Sequence, residues 1–340
     1  PVSMIFVVGA SRSGTTMMGR ALGGHPDVYV FDELHFFEQI WSPDRDNAIS
    51  NEHALEIAGT LLWVQRHGYL TRWQATYYRE EAQAIVDCCK FGAKLSAPAI
   101  LRKFLEYEAT LHGKTLSCEQ TPRNLFYLDE IFDAFPDARV IYMVRDPRDV
   151  LLSQKNRWRR RFLGSGVHRR RDMIRDWSNY HPMVIPRLWL GAEISYSRGA
   201  DDPRVMRVRY EDLVASAGEQ LGGICDFVGI AYHPDMSNVP QNGSSSRVDQ
   251  SDRLGFDASR IGAWKRGGLS SGEIYLCERI TNDMLCREGY EVTNPGLSLS
   301  VGYYYLTLPF RLGFAFITNW GRVKNVRQAI LRRIGQAKKP

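Results

Sequence analysis

The stretch 9-GASRSGTTMM-18 directly follows the apolar run 4-MIFVV-8, with Gly9 and Gly14 separated by four residues and Thr15-Thr16 next in line. A strand, a glycine-bounded loop and a helix start in this order turn successive backbone N–H groups and a helix N-terminus toward an anion. The chemistry of the loop is therefore binding of a phosphate-like group. In the nucleotide-hydrolysing pattern G-x-x-x-x-G-K-[ST], the lysine reaches the β and γ phosphates and the hydroxyl holds Mg²⁺. Here Thr15 stands in the lysine's place, and Arg12 supplies a cation from inside the loop. A guanidinium meets an oxyanion with a planar, bidentate fork and needs no metal to do so. A glycine turn that binds nothing would leave Arg12, Ser13, Thr15 and Thr16 without a role.

The run 12-RSGTTMM-18, with 25-HPDV-28 and Glu33 behind it, resembles the 5′-phosphosulfate-binding segment of sulfotransferases that use 3′-phosphoadenosine-5′-phosphosulfate (PAPS), especially the bacterial and protein-tyrosine branches. The resemblance implies that Arg12, Ser13, Gly14, Thr15 and Thr16 hold one phosphosulfate rather than a triphosphate–Mg²⁺ complex, with no metal required. It also implies a second anion site for the 3′-phosphate. The strand-like 140-VIYMV-144 runs into 145-RDPRDVLLSQKNR-157, where Arg145, with Ser153 eight residues on, resembles the family's 3′-phosphate motif and Arg157 a further basic position. Read alone, Asp146 is a helix cap and Pro147 a first helical residue, a role that leaves Arg145 free. Tyr210 in 207-RVRYEDLV-214, and Arg260 and Lys265 in 260-RIGAWKRGGLS-270, match later family elements near the nucleotide. The segment 119-EQTPRN-124 departs from the pattern, with Gln120 where lysine is common. Either another cation takes that place or the charge is dispensable.

Sulfuryl transfer resembles loose phosphoryl transfer, so positioning and stabilisation of the leaving phosphate dominate. A hydroxyl acceptor must also lose a proton. Glu33 in 31-FDELHFF-37, twenty-one residues after Arg12, corresponds to the catalytic glutamate of the protein-tyrosine branch. Asp32 is the better helix cap, and His35 is the alternative base.

These residues need a frame. Short β-rich runs alternate with helical patterns, which predicts an α/β domain with a central parallel sheet flanked by helices, P-loop-like, with ligands beyond the carboxyl ends of the strands. Strands are expected at 4–8, 28–31, 115–118, 140–144 and 205–208. Helices are expected at 15–23, 53–67, 74–89, 97–112, 123–135, 147–161, 172–189 and 273–287. The segment 240-PQNGSSSRVDQSD-252 reads as a connecting loop. Residues 1–292 are assigned to the catalytic domain and 293–340 to a separate aromatic and basic segment.

The chain has 340 residues, 44% hydrophobic and 24% charged, with a formal charge of +6. Eight basic residues and no acidic one follow Glu291, and the preceding 291 residues hold 36 basic against 38 acidic. With that neutral body and no recognised module, nucleic acid is not an expected partner. The run 155-KNRWRRRFLGSGVHRRRDMIR-175 reads first as a solvated face and second as a recruiter of an anionic acceptor, a glycan or lipid bearing a hydroxyl or amine. Between Val301 and Trp320 the only charge is Arg311, among seven aromatic residues, and Gly302, Pro309 and Gly313 argue against a straight membrane-spanning helix. Val323, Val326, Ile330 and Ile334 then share one helical face amid Lys324, Arg327, Arg332 and Arg333, as an interfacial helix would. Attachment to a membrane surface and packing on the domain or on a second subunit are equally open. Six cysteines lack zinc or disulfide spacing. The expected setting is cytoplasmic, peripheral at a membrane if the tail docks there, or lumenal in the Golgi if the natural chain carries a leader ahead of Pro1. The competing functions are a kinase-like phosphotransferase, disfavoured by Thr15, and a non-catalytic nucleotide-binding protein, disfavoured by Glu33.

Overall fold

Alternating side chains build the centre of the molecule. In the strand Met4–Gly9 (β1), Met4, Phe6 and Val8 face one core while Ile5 and Val7 face another; in Arg139–Val144 (β4), Val140, Tyr142 and Val144 join the first and Ile141 and Met143 the second. This period of two with both faces apolar is that of a sheet covered by helices on either side. The protein was studied as a computed structural model that describes residues 4–42, 48–89, 95–163, 170–242, 245 and 248–319.

The other sheet strands are Val28–Phe31 (β2), Leu116–Glu119 (β3) and Val205–Arg209 (β5), and the order is β2-β3-β1-β4-β5 with every pairing parallel. The segment 240–252, expected to be a connecting loop, instead contributes to a two-stranded antiparallel ribbon, Pro240–Gln241 (β6) with Gln250–Leu254 (β7). The first core is closed by the helices Asn51–His67 (α2), Arg79–Cys89 (α3), Ala97–Leu111 (α4), Pro147–Lys155 (α6) and Ile185–Ser197 (α8). The second is closed by Thr15–Gly23 (α1) and Ala217–Val228 (α10). Between these lie the short helices Leu128–Ala134 (α5), Arg170–Ser178 (α7) and Tyr210–Ala215 (α9), and Ser271–Arg287 (α11) and Leu299–Thr318 (α12) follow at the end.

Three expected helices break and a fourth, 74–89, begins only at Arg79; residues 123–135 form the 3₁₀ helix Pro122–Tyr127 followed by α5. Residues 172–189 form α7 and α8 with turns between them, because Pro182 and Pro186 offer no N–H to continue α7. The expected 147–161 helix ends at Lys155, and Arg157–Phe162 continues as a 3₁₀ helix. Residues 299–318, where Pro309 and the glycines argue against a straight membrane-spanning helix, form one continuous α-helix containing Pro309. Among the described residues no helix is long and apolar enough to cross a membrane. The interfacial face expected at 323–334 lies outside the described residues. All six cysteines are free thiols.

Candidate active site

All five parallel strands end at the same edge, and each delivers a residue to a cleft of about 400 Å³ there. β1 leads into the Arg12 loop, β2 into Glu33 and His35, β3 into Arg123, β4 into Arg145 and β5 into Tyr210.

The loop after β1 has the geometry its glycines predict. Gly9 sits at φ +154°, where an added Cβ would clash with the Met143 carbonyl oxygen of β4, and Gly14 sits at φ +97°, where a Cβ would come within 2.6 Å of the Tyr210 ring. Arg12 also has positive φ, 76°. Gly14 is the N-cap of α1 with no side-chain cap hydrogen bond among the described residues, and Thr15 and Thr16 of the first turn line the cleft. Ser13 is fully buried, and its Oγ has no hydrogen-bond partner among the described residues.

Arg12 donates from Nε to Ser153 Oγ at 3.0 Å and from a terminal nitrogen to Ser245 Oγ at 3.1 Å. Burial, with the like charges of Arg160, Arg157 and Arg145, pushes its guanidinium down to about 9. Arg145 leaves the end of β4, donates to the carbonyls of Arg12 (3.4 Å) and Arg260 (3.0 Å), and lies 4.2 Å over the Tyr210 ring. Its Nε is buried and has no hydrogen-bond partner among the described residues. Asp146 caps α6 by accepting from the Arg148 N–H at 2.8 Å, the division of labour expected from the sequence. Among the described residues, seven arginines, Arg12, Arg20, Arg123, Arg145, Arg157, Arg160 and Arg260, line the cleft against the carboxylates Glu33, Asp149 and Asp257, so cations are in excess and a bound anion would relieve their mutual repulsion.

At the other end, Glu33 Oε2 lies 3.0 Å from His35 Nε2. His35 Nδ1 is 3.6 Å from Glu38, which accepts from Arg123 at 2.8 Å. Burial alone would raise the Glu33 carboxyl, but the hydrogen bond and charge of His35, with Arg157 and Arg123, hold it below the usual range. Burial alone would lower His35, and Glu33 and Glu38 together raise it. Glu33 is thus an ionised, hydrogen-bonded carboxylate at neutral pH. The segment is anchored from below: buried Glu119 accepts from the N–H groups of Leu34 and Thr121, both at 3.2 Å, and from Asn124 Nδ2 at 2.5 Å.

The structure thus gathers Arg12, Gly14, Thr15, Thr16, Glu33, His35, Arg145, Ser153, Arg157, Tyr210 and Arg260 around one cleft, with Ser13 buried in its loop. Lys265 does not line that cleft. Its neighbour Trp264 docks inward, donating to Asp149 and Asp146 at 3.0 and 3.1 Å, which turns the Lys265 ammonium outward to Glu291 at 2.7 Å. Gln120 points at α1, where a Cβ on Gly19 would meet its Cγ at 3.2 Å, and the cation of that segment in the cleft is Arg123. Sequence reasoning missed Arg123 and Arg160. Arg123 follows Pro122 in a 3₁₀ helix, and Arg160 sits in a run that reads as a solvated face.

Comparison with known proteins adds an independent line. The family model described as "Sulfotransferase family" matches residues 4–234. The chain is 24% identical over 257 residues to a protein-tyrosine sulfotransferase of Drosophila melanogaster, covering 73% of this chain and 43% of that protein. It is 22% identical over 299 residues to protein-tyrosine sulfotransferase 2 of Gallus gallus, covering 85% and 69% respectively. It thus spans less than half of the fly relative's length. Among solved structures, the sulfotransferase domain from the curacin biosynthetic pathway superposes with a TM-score of 0.49 at 18% identity, covering 86% of this chain and 99% of that one.

Proposed function

The chain belongs to the sulfotransferase family, and from that premise we propose that it transfers a sulfuryl group from PAPS to a hydroxyl of an acceptor, with Glu33 as base. The observation that carries this reading is the pairing of two cationic positions in one cleft: the Arg12 loop at the start of α1, and Arg145 at the end of β4, joined by the Arg145 to Arg12 carbonyl contact at 3.4 Å. The buried Ser13 Oγ and Arg145 Nε, without hydrogen-bond partners among the described residues, fit a ligand with two separate anionic ends. Arg12, Ser13, Thr15, Thr16 and the loop N–H groups would hold the 5′ end, and Arg145, Ser153 and Arg260 the 3′-phosphate, with Tyr210 as the wall beneath. The bound donor supplies an activated sulfur–oxygen bond whose leaving group is a phosphate.

The residues then have separable tasks. Arg12 and the N-terminus of α1 stabilise charge that grows on the leaving oxygen, an electrostatic role fixed before the reaction begins. Glu33, the ionised carboxylate at the end of β2, accepts the acceptor's hydroxyl proton. His35 and, through Glu38, Arg123 hold Glu33 in place. The new sulfur–oxygen bond forms to the acceptor oxygen as the bond to the phosphate breaks.

The test is thermal stability with and without 3′-phosphoadenosine-5′-phosphate (PAP), beside ATP–Mg²⁺. A ligand that binds only the folded state raises the midpoint, by about 2.7 kcal/mol of stability at a hundred times its Kd. The expected result is a rise with PAP that disappears in Arg12→Ala and in Arg145→Ala. A rise with ATP–Mg²⁺ alone would overturn the donor assignment.

A further inference from the structure

One side of α12 is spent on packing. Val301 is buried with Met183 and Leu276, Tyr304 meets His181 edge-on at 5.9 Å, and Thr318 Oγ1 lies 2.8 Å from Ser178 Oγ. The other side is bare of charge and open. Leu299, Leu306, Phe310 and Ile317 are 98, 74, 79 and 68% exposed. At about 100° per residue they share one face with Tyr303, and exposed Tyr305 and Leu312 widen it past half the circumference. The single charge of the helix lies off this face: the Arg311 guanidinium stacks 3.7 Å over Trp177 of α7. α7 extends the surface with exposed Ile174 and Trp177, next to exposed Arg170 and Arg171.

The breadth of this face and its surrounding charge select the occupant. A partner helix takes a narrow seam of positions a and d, whereas an interfacial helix lays a broad apolar face, rich in aromatic residues, on lipid and keeps cations at its edge. The sequence beyond α12 carries seven basic and no acidic residues in 321–340, while the first 291 residues are near neutral. That excess is complementary to anionic headgroups. We propose that the exposed face of α12, continued by Ile174 and Trp177, binds the surface of an anionic membrane, with the basic tail supplying the attraction to the headgroups. α7 then joins membrane and cleft, since Asp176, beside Trp177, lies 3.2 Å from Arg157 on the cleft wall.

Flotation of the full chain with vesicles of phosphatidylcholine alone, and of phosphatidylcholine mixed with phosphatidylserine, tests this without any assay of turnover. The expected result is recovery with the serine-containing vesicles only, falling as salt shortens the screening length from about 10 Å at 0.1 M to about 3 Å at 1 M. The double variant Leu306→Asp, Phe310→Asp should lose about tenfold or more in partition. Its circular dichroism and thermal midpoint should match the parent, because both side chains are already in solvent. Absence of recovery from a monomeric protein would mean that the chain's own tail covers the face, and would overturn the proposal. A concentration-dependent dimer abolished by the same two substitutions would assign the face to a second copy and also overturn it. So would vesicle binding that the double variant leaves intact.

Discussion

At the scale of single residues, Glu33 and His35 form the most testable pair. Glu33→Gln keeps the shape of the side chain and removes the proton acceptor, so kcat should fall by about 10²–10⁴-fold while the PAP-induced rise in thermal midpoint stays. Full activity in that variant would remove Glu33 from the mechanism. His35→Gln probes the same pair through pH. A base works only when deprotonated, so the acidic limb of kcat/KM follows the Glu33 carboxyl, which His35 holds below its usual range. Without His35 the burial of Glu33 is less opposed, its affinity for a proton rises, and the acidic limb should move to higher pH. An unmoved limb would show that Glu33 is not the titrating base. Arg12 was legible from the glycine-bounded loop that holds it, whereas Arg145, Ser153 and Glu33 were singled out through the family resemblance, and the structure brings all four to one cleft. Arg123 and Arg160 were hidden because nothing local distinguishes an arginine aimed into a cleft from one in water.

At the scale of elements, the strand-to-loop junction after β1 depends on Gly14. Its φ of +97° is costly for any residue with a side chain, and an added Cβ would strike the Tyr210 ring at 2.6 Å. Gly14→Ala should therefore cost about 1–3 kcal/mol or more in chemical denaturation, and should weaken PAP binding beyond that loss because Tyr210 and Arg145 move together. Stability and PAP affinity equal to the parent would mean that the loop does not hold this geometry. The five sheet strands and α1 were readable to within about a residue, since apolar runs bounded by turn residues carry the signal in themselves. α9 and α10 passed unrecognised: 217-AGEQLGGICDFV-228 contains three glycines, and its apolar residues Leu221, Ile224, Cys225 and Val228 show a helical period only once Gly218, Gly222 and Gly223 are accepted within it. The splitting of 172–189 into α7 and α8 was foreshadowed by Pro182 and Pro186. The 3₁₀ course after Lys155 had no comparable marker.

At the scale of the whole molecule, α12 stands apart from the sheet. The cores on the two sides of the sheet are large, whereas α12 is held by a small cluster in which Val301, Met183 and Leu276 are the buried members. Residues 289–298, between α11 and α12, contain no helix or strand and few buried side chains. Regions with few buried apolar contacts open at lower free energy than the core, so α12 should detach before the rest unfolds. Val301→Asp places a carboxylate in that small cluster, a burial costly enough that the helix would leave rather than hold it. The expected outcome is faster limited proteolysis within 289–298, with the thermal midpoint of the sheet domain and its response to PAP retained. The sensitive link is α7, which touches α12 through Trp177 and Arg311 and reaches the cleft through Asp176 and Arg157. If Val301→Asp also abolished the PAP response, the C-terminal helix would be a structural support of the cleft rather than an attachment to it, and its exposed face would have to be understood together with catalysis.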